Sequence, residues 1–160
     1  MTLDGIHHFD APRERVWALF TDPGVLARAT PGCERLDPVG PDEFEATLSV
    51  GVAAVKGTYQ GRLAILDKAP PEGYTLRVEG SGRPGFVKGE GRLTLTEEDG
   101  GTRVSIRAEA QVGGLIAAVG QRLMGAAGRM LMSQFFSALE AELGKSAGAQ
   151  EPNGRKGDQS

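Results

Sequence analysis

The chain has 160 residues, 39% hydrophobic and 24% charged, which describes one globular domain able to bury a core and excludes both a disordered tail protein and a multidomain enzyme. Eighteen Lys and Arg against 21 Asp and Glu give a formal net charge of −3 with no long block of one sign, which argues against a nucleic-acid-binding face. A single cysteine, Cys33, forms no internal disulfide, and CxxC spacing, a signal pattern and any run of about 18 apolar residues are absent, so a reduced cytoplasmic chain without a membrane span is expected.

In Met1 to Asp10, Leu3, His7 and Phe9 alternate with Asp4 and His8, which predicts a strand. Pro12, at a first-turn position, opens a short helix with Val16, Trp17 and Phe20 on one face. Asp22-Pro23 pairs an N-cap aspartate with proline and starts a second short helix, carrying Val25 and Leu26, that ends at Pro31-Gly32.

From Phe44 to Val112 the period is two, in five segments. The apolar register takes Phe44, Ala46, Leu48, Val50 and Val52, then Tyr59, Leu63 and Ile65, then Tyr74, Leu76 and Val78. It continues through Leu93 and Leu95 to Val104, Ile106, Ala108, Ala110 and Val112. One wet and one dry face indicate an antiparallel sheet, and Pro70-Pro71-Glu72-Gly73 and the stretch from Glu97 to Gly101 read as its turns. After Gly113-Gly114 the steps become helical through Leu115, Val119, Leu123, Met130, Leu139 and Leu143, a helix of about 45 Å. Residues 144–160 lack a period and are expected to be a disordered polar tail behind a domain of residues 1–143.

These elements predict an α+β fold: a curved antiparallel sheet of six to seven strands wrapped around a long C-terminal helix, with two short helices after the first strand. Glycine, 24 of 160 residues, is roughly twice as frequent as usual. Gly51, Gly57, Gly61, Gly89 and Gly91 fall in strand patterns, where they imply bends or close approach. Gly120, Gly125 and Gly128 fall in the helix at a cost of about 1 kcal/mol each. Two readings stand: the small residues leave a cavity for a hydrophobic ligand, or they let helix and sheet pack closely. Met124, Met130 and Met132 divide the same way, into core filler or a wall that repacks around ligands.

The strand period sends His7 and His8 to opposite faces, so they cannot share a metal. His7, in the apolar register, is either a satisfied interior histidine or a ligand contact. Gly80, Gly82 and Gly85 precede no helix and form no dinucleotide loop, and a GxSxG elbow is absent. Glu43, Glu45, Glu79, Glu90 and Glu109 lie on the wet face beside Arg62, Arg77, Arg92 and Arg107, a surface and not an acid/base pair. No catalytic residue, metal or cofactor is assigned.

The element order resembles the helix-grip fold of the START/Bet v-like (SRPBCC) superfamily. Gly5, the run Ala11-Pro12-Arg13-Glu14-Arg15-Val16-Trp17, Asp22-Pro23 and Pro31-Gly32-Cys33 resemble the N-terminal signature of CoxG, a family of carbon monoxide dehydrogenase subunits. Val50-Gly51-Val52, Lys56-Gly57 with Tyr59 and Gly61, Gly80 with Gly82, Gly101-Thr102, Val112-Gly113-Gly114 with Gly120, and Phe135-Phe136 extend the likeness over residues 1–143. The resemblance implies a non-catalytic partner of a molybdenum hydroxylase of the carbon monoxide dehydrogenase type. It further implies a quinone-like lipid in a hydrophobic cavity, coupling the enzyme to the inner face of the cell membrane. A C-terminal membrane attachment is common in the family, but the tail here, with Lys145, Arg155 and Lys156, has no apolar face and supports a weak peripheral contact at most.

On this reading the ligand-binding residues are His7, Leu26, Leu48, Tyr59, Leu63, Phe86, Val119, Leu123, Met124 and Met130, with a mouth near Leu26, Pro31 and Phe86. Two alternatives are carried beside it. One is a polyketide cyclase/dehydratase-like enzyme, for which His7, Tyr59 and Tyr74 must converge on one point. The other is a protein-protein adaptor with a filled core, using the Pro31-Gly32-Cys33 loop or the segment from Gly80 to Gly91.

Overall fold

The computed structural model describes the backbone of residues 1–150 and the side chains of residues 1–145; residues 151–160, most of the expected tail, lie outside the described residues. Strand β1 (Thr2–Phe9) leads into α1 (Arg13–Phe20) and α2 (Pro23–Ala29), followed by β2 (Cys33–Gly40) and β3 (Glu43–Val50). A 3-10 turn at Ala53–Val55 precedes β4 (Gly57–Ala69), β5 (Gly73–Gly82), β6 (Gly85–Glu98) and β7 (Gly101–Gly113). A second 3-10 turn, Leu115–Val119, precedes α3 (Gln121–Gln150). The strands form an open antiparallel sheet in the order β1-β7-β6-β5-β4-β3-β2, and α3 packs on it with α1 and α2: the expected α+β helix-grip arrangement.

Local chemistry explains the short helices. Asp22 accepts from the backbone N–H of Gly24 at 2.9 Å and of Val25 at 3.4 Å, and Pro23 occupies the first turn. Strand β2 is absent from the five alternating segments because Arg35, Asp37 and Pro38 interrupt the pattern, and register shifts lie at Cys33/Arg35 and Pro38/Gly40. Proline is tolerated there because β2 is a sheet edge.

The long helix begins at Gln121 and not at Leu115, because Gly120 has φ +88 and breaks the run after the 3-10 turn. Gly120 is therefore outside the helix; of the three glycines expected within it, Gly125 and Gly128 remain, at a cost of about 2 kcal/mol together. Gly51 and Val52 likewise lie beyond β3, in the connection to β4. At its far end α3 runs past Leu143, where the apolar period stops, to Gln150.

The main core joins Phe9, Val16, Phe20, Leu95, Val104 and Leu139, so β1, α1, β6, β7 and α3 meet in one cluster. Two of its polar groups bond to backbone: Thr102 Oγ1 donates to the Ala11 carbonyl at 2.8 Å and Tyr74 Oη to the Phe20 carbonyl at 2.7 Å. A smaller cluster of Val55, Met124 and Ala127 sits where the first 3-10 turn meets α3.

Helix α2 is tied to α3 by Arg28, whose Nε and Nη2 donate to Glu142 Oε2 and Oε1 at 3.1 and 2.9 Å, while Lys145 Nζ donates to Oε2 at 3.3 Å. The hydrogen bonds from Arg28, outweighing desolvation, hold the Glu142 carboxyl below its ordinary pKa. A depressed folded-state pKa adds stability that is present above the unfolded value of about 4.3 and is lost as pH falls through the folded value. Arg28→Met is therefore expected to have a lower Tm than the parent at pH 7, with the gap closing as melts are repeated toward pH 3. A gap that stays constant would mean that the ion pair does not carry it.

Candidate functional site

Directly opposed residues of an antiparallel pair point to the same face, so the register reads the inner face as rows. The rows Tyr74-Leu93-Ile106-Gly5 and Leu95-Val104-His7 lie under α1 and the C-terminal half of α3, and their sheet side chains are mostly fully buried. Toward the other end come Ile65-Leu76-Gly91-Ala108-Leu3, Leu63-Val78-Gly89-Ala110 and Ala46-Gly61-Gly80-Val87-Val112. Most of these remain half-buried, so solvent reaches an inward face that α3 does not seal.

The glycines separate the two readings of the small residues. At the β1 edge, a Cβ on Gly128 would strike the Leu3 side chain and one on Gly5 would strike Met132, so there the small residues do permit close packing of helix on sheet. Elsewhere they do not serve that purpose. The three atoms nearest a Cβ at Gly89 or Gly91 all belong to β7, and at Gly80 the only atom within 4 Å is the Gln60 carbonyl oxygen. Gly80, Gly89, Gly91, Ala108 and Ala110 thus form a shallow floor on which the nearest neighbours of the glycines are strand atoms.

Beside α3 an open groove of about 590 Å³ is lined by Pro31, Gly32, the stretch Ser49–Ala54, and Leu123, Ala126, Met130 and Gln134 of the helix. Its volume lies within the usual range for small-molecule sites. Its wall is built by three devices. Gly32, at φ +74, lets the Pro31 turn lie on β3, where a Cβ would strike the Ser49 carbonyl and where Ser49 N–H donates to Gly32 O at 2.7 Å. Tyr59 Oη donates to the Val55 carbonyl at 2.7 Å and holds the Ala53–Val55 turn in place. Met124 and Ala127 anchor α3 to that turn from below. A second opening of about 690 Å³, lined by Lys56, Gly57, Thr58, Arg83, Pro84, Leu115, Ile116 and Val119, adjoins the first at Ala54.

The ten expected ligand-binding residues divide by this geometry. Leu123 and Met130, each 52% exposed, line the groove, and Val119 lines the neighbouring opening. Leu63 and Leu48 are half-buried on the inner face. Tyr59 and Met124 are buried and support the groove wall. Phe86, 47% exposed, lies over Gly113, where a Cβ would meet its ring. Leu26 is a core residue of α2 and lines neither opening, so of the three residues expected at the mouth only Pro31 borders the groove.

His7 does point inward, stacked on Phe136 with ring centroids 5.1 Å apart and its Nε2 3.1 Å from Glu140 Oε2. It meets the C-terminal half of α3 and lines neither opening. His8, on the opposite face, lies beside Asp10 and Glu98. The groove residues missed by sequence reasoning include Gly32, the stretch Ser49–Ala54, Ala126, Ala127, Leu131 and Gln134; for the stretch the signal was present in Val50-Gly51-Val52-Ala53-Ala54, an apolar run with no alternating polar partner.

His7, Tyr59 and Tyr74 do not form one polar centre. Tyr59 and Tyr74 each donate to a backbone carbonyl, in the Ala53–Val55 turn and in α1 respectively, and burial pushes the Tyr74 hydroxyl well above its ordinary pKa. A phenol so placed is a structural donor and a poor proton source.

The model of the CoxG family of carbon monoxide dehydrogenase subunits matches residues 5–144. Among curated proteins none matches the chain. Among solved structures, a conserved protein from Geobacillus kaustophilus is 38% identical with a TM-score of 0.88, covering 91% of this chain and 97% of that one. A protein from Mycobacterium smegmatis is 21% identical with a TM-score of 0.66, at 91% and 92% coverage. Ara h 8.0201 is 14% identical with a TM-score of 0.67, at 89% and 97% coverage. At those identities the last two share the fold alone.

Proposed function

Because this chain belongs to the CoxG family of carbon monoxide dehydrogenase subunits, we propose that it is a non-catalytic accessory protein of a carbon monoxide dehydrogenase-type molybdenum hydroxylase that holds a quinone-like lipid. The lipid tail lies over the floor of Gly80, Gly89, Gly91, Ala108 and Ala110, and the groove beside Leu123 and Met130 admits it. One observation carries this reading: the floor glycines have only sheet atoms nearest them, while α3 meets the sheet chiefly at β1. Close packing would place helix atoms there. Burying about 300 Å² of apolar tail at about 25 cal/mol per Å² supplies roughly 7 kcal/mol before the cost of association, enough for useful affinity with few polar contacts.

The protein would work in the cytoplasm at the inner face of the membrane, where its hydroxylase and the quinone meet. Among the described residues no helix is long and apolar enough to cross a membrane. Non-catalytic carriage is favoured over a cyclase or dehydratase by the commitment of Tyr59 and Tyr74 to backbone carbonyls.

Leu123→Trp tests the entrance. Leu123 is half exposed, so an indole there fits without disturbing the core and occupies the groove. The variant is expected to melt within a few degrees of the parent and to bind a short-tailed isoprenoid quinone at least about tenfold more weakly by isothermal titration. Parent-like affinity would remove the groove from the path.

A further inference from the structure

We propose that Met130 is an oxidation-sensitive gate on the groove: a hydroperoxide converts its thioether to a sulfoxide, and the polar wall so formed turns an apolar ligand away. The proposal rests on the lipid-binding reading above and adds a modification site to it. The four methionines of the chain are placed differently. Met124 is 7% exposed, inside the smaller cluster, and Met1 and Met132 are half-buried against the smaller and the main cluster respectively. Met130 is 52% exposed and lines the groove. It follows the groove residues Leu123 and Ala126 by seven and four positions, so the three share one helical stripe.

Little else in that wall competes for an oxidant. Among the described residues the groove is lined by no cysteine, histidine, tyrosine or tryptophan, and its one sulfur is that of Met130. Cys33, beside the lining residue Gly32, is half-buried, and burial pushes its thiol up, away from the thiolate that reacts with peroxide. The thioether sulfur attacks one peroxide oxygen, the S–O bond forms as the O–O bond breaks, and the proton on the transferred oxygen passes to the leaving one. Sulfur is thereby oxidised by two electrons, and the hydroperoxide departs as an alcohol, or as water from hydrogen peroxide. A quinol that meets dioxygen gives quinone and hydrogen peroxide, so a reduced ligand supplies the oxidant beside Met130. Reduction by a dithiol, which closes to a disulfide with release of water, restores the thioether. An apolar tail that covers the sulfoxide strips its oxygen of water and returns no hydrogen bond, a cost the thioether does not carry.

The test treats the full chain with hydrogen peroxide, follows each methionine by peptide mass spectrometry, and titrates the parent, Met130→Leu and Met130→Gln with a short-tailed isoprenoid quinone before and after treatment. Met130 is expected to be oxidised at least about tenfold faster than Met124 or Met132, and the treated parent to bind about tenfold more weakly with an unchanged melt. Treated and untreated Met130→Leu are expected to bind alike, and Met130→Gln to bind as weakly as the treated parent without any oxidant. Parent-like binding at full Met130 oxidation, faster oxidation of Met124 or Met132, or an equal loss in treated Met130→Leu would overturn the gate and leave lipid binding standing. An untreated parent that binds no quinone would overturn the lipid reading and the gate with it.

Discussion

Ala110→Phe is expected to weaken uptake of an isoprenoid quinone by about a hundredfold while the folded protein persists. Ala110 sits on the inner face of β7 opposite Gly89, in the row that continues to Val78 and Leu63. Its position is half-buried, and the atoms nearest a Cβ on Gly89 are those of β7, including Ala110 itself. A benzyl group at 110 therefore enters the space assigned to the lipid tail. Displacing about 100 Å² of tail from apolar contact costs about 2.5 kcal/mol, which is nearly two decades in affinity. Ala110→Ser, similar in size, should retain most of the binding. Circular dichroism and a melt establish that the phenylalanine variant is folded, and isothermal titration with the quinone reads the effect. Unchanged affinity would mean that the floor of small residues is not the container.

Leu139→Ala is expected to lower stability by about 2–5 kcal/mol, or roughly 5–15 °C in Tm. Leu139 is 0% exposed and belongs to the cluster that joins α3 to Phe9, Phe20, Leu95 and Val104. Truncation leaves a cavity among side chains supplied by five elements, none of which can collapse into it alone. Leu123→Ala, on the exposed stripe of the same helix, should change stability by no more than about 0.5 kcal/mol. Denaturant unfolding of the two variants separates the gripping face of α3 from its groove-facing edge. Equal losses would mean that the helix is not divided in this way.

The division of α3 is only half legible in the sequence. Leu123, Met130 and Leu139 obey the same helical spacing, and periodicity alone cannot distinguish an apolar stripe that meets a sheet from one that borders an open groove. The sheet is clearer, because each strand from β3 to β7 alternates and the hairpins join neighbours in sequence order. Strand β2 escapes because Arg35, Asp37 and Pro38 interrupt the period at an edge with register shifts. The start of α3 lies six residues beyond the expected one because Gly120 reads as a tolerable helix glycine until its φ of +88 is known.

The site shows the same limits. His7 falls in the inward register as expected, opposite Val104, and stacks on Phe136 without lining either opening, because the helix crosses closest to β1. Leu26, expected near the mouth, is a core residue. What composition does convey is the surplus of small side chains. Whether each marks contact or space depends on what stands opposite, Met132 for Gly5 and only strand atoms for Gly89.

The most direct measurement is native mass spectrometry of the purified protein, followed by organic extraction of whatever travels with it and, for any empty fraction, addition of menaquinone or ubiquinone. Lipid carriage predicts one isoprenoid quinone or similar apolar lipid per chain, carried from the cell or taken up on addition, and lost in Ala110→Phe. A protein that flies at its bare mass and forms no adduct with either quinone would contradict it.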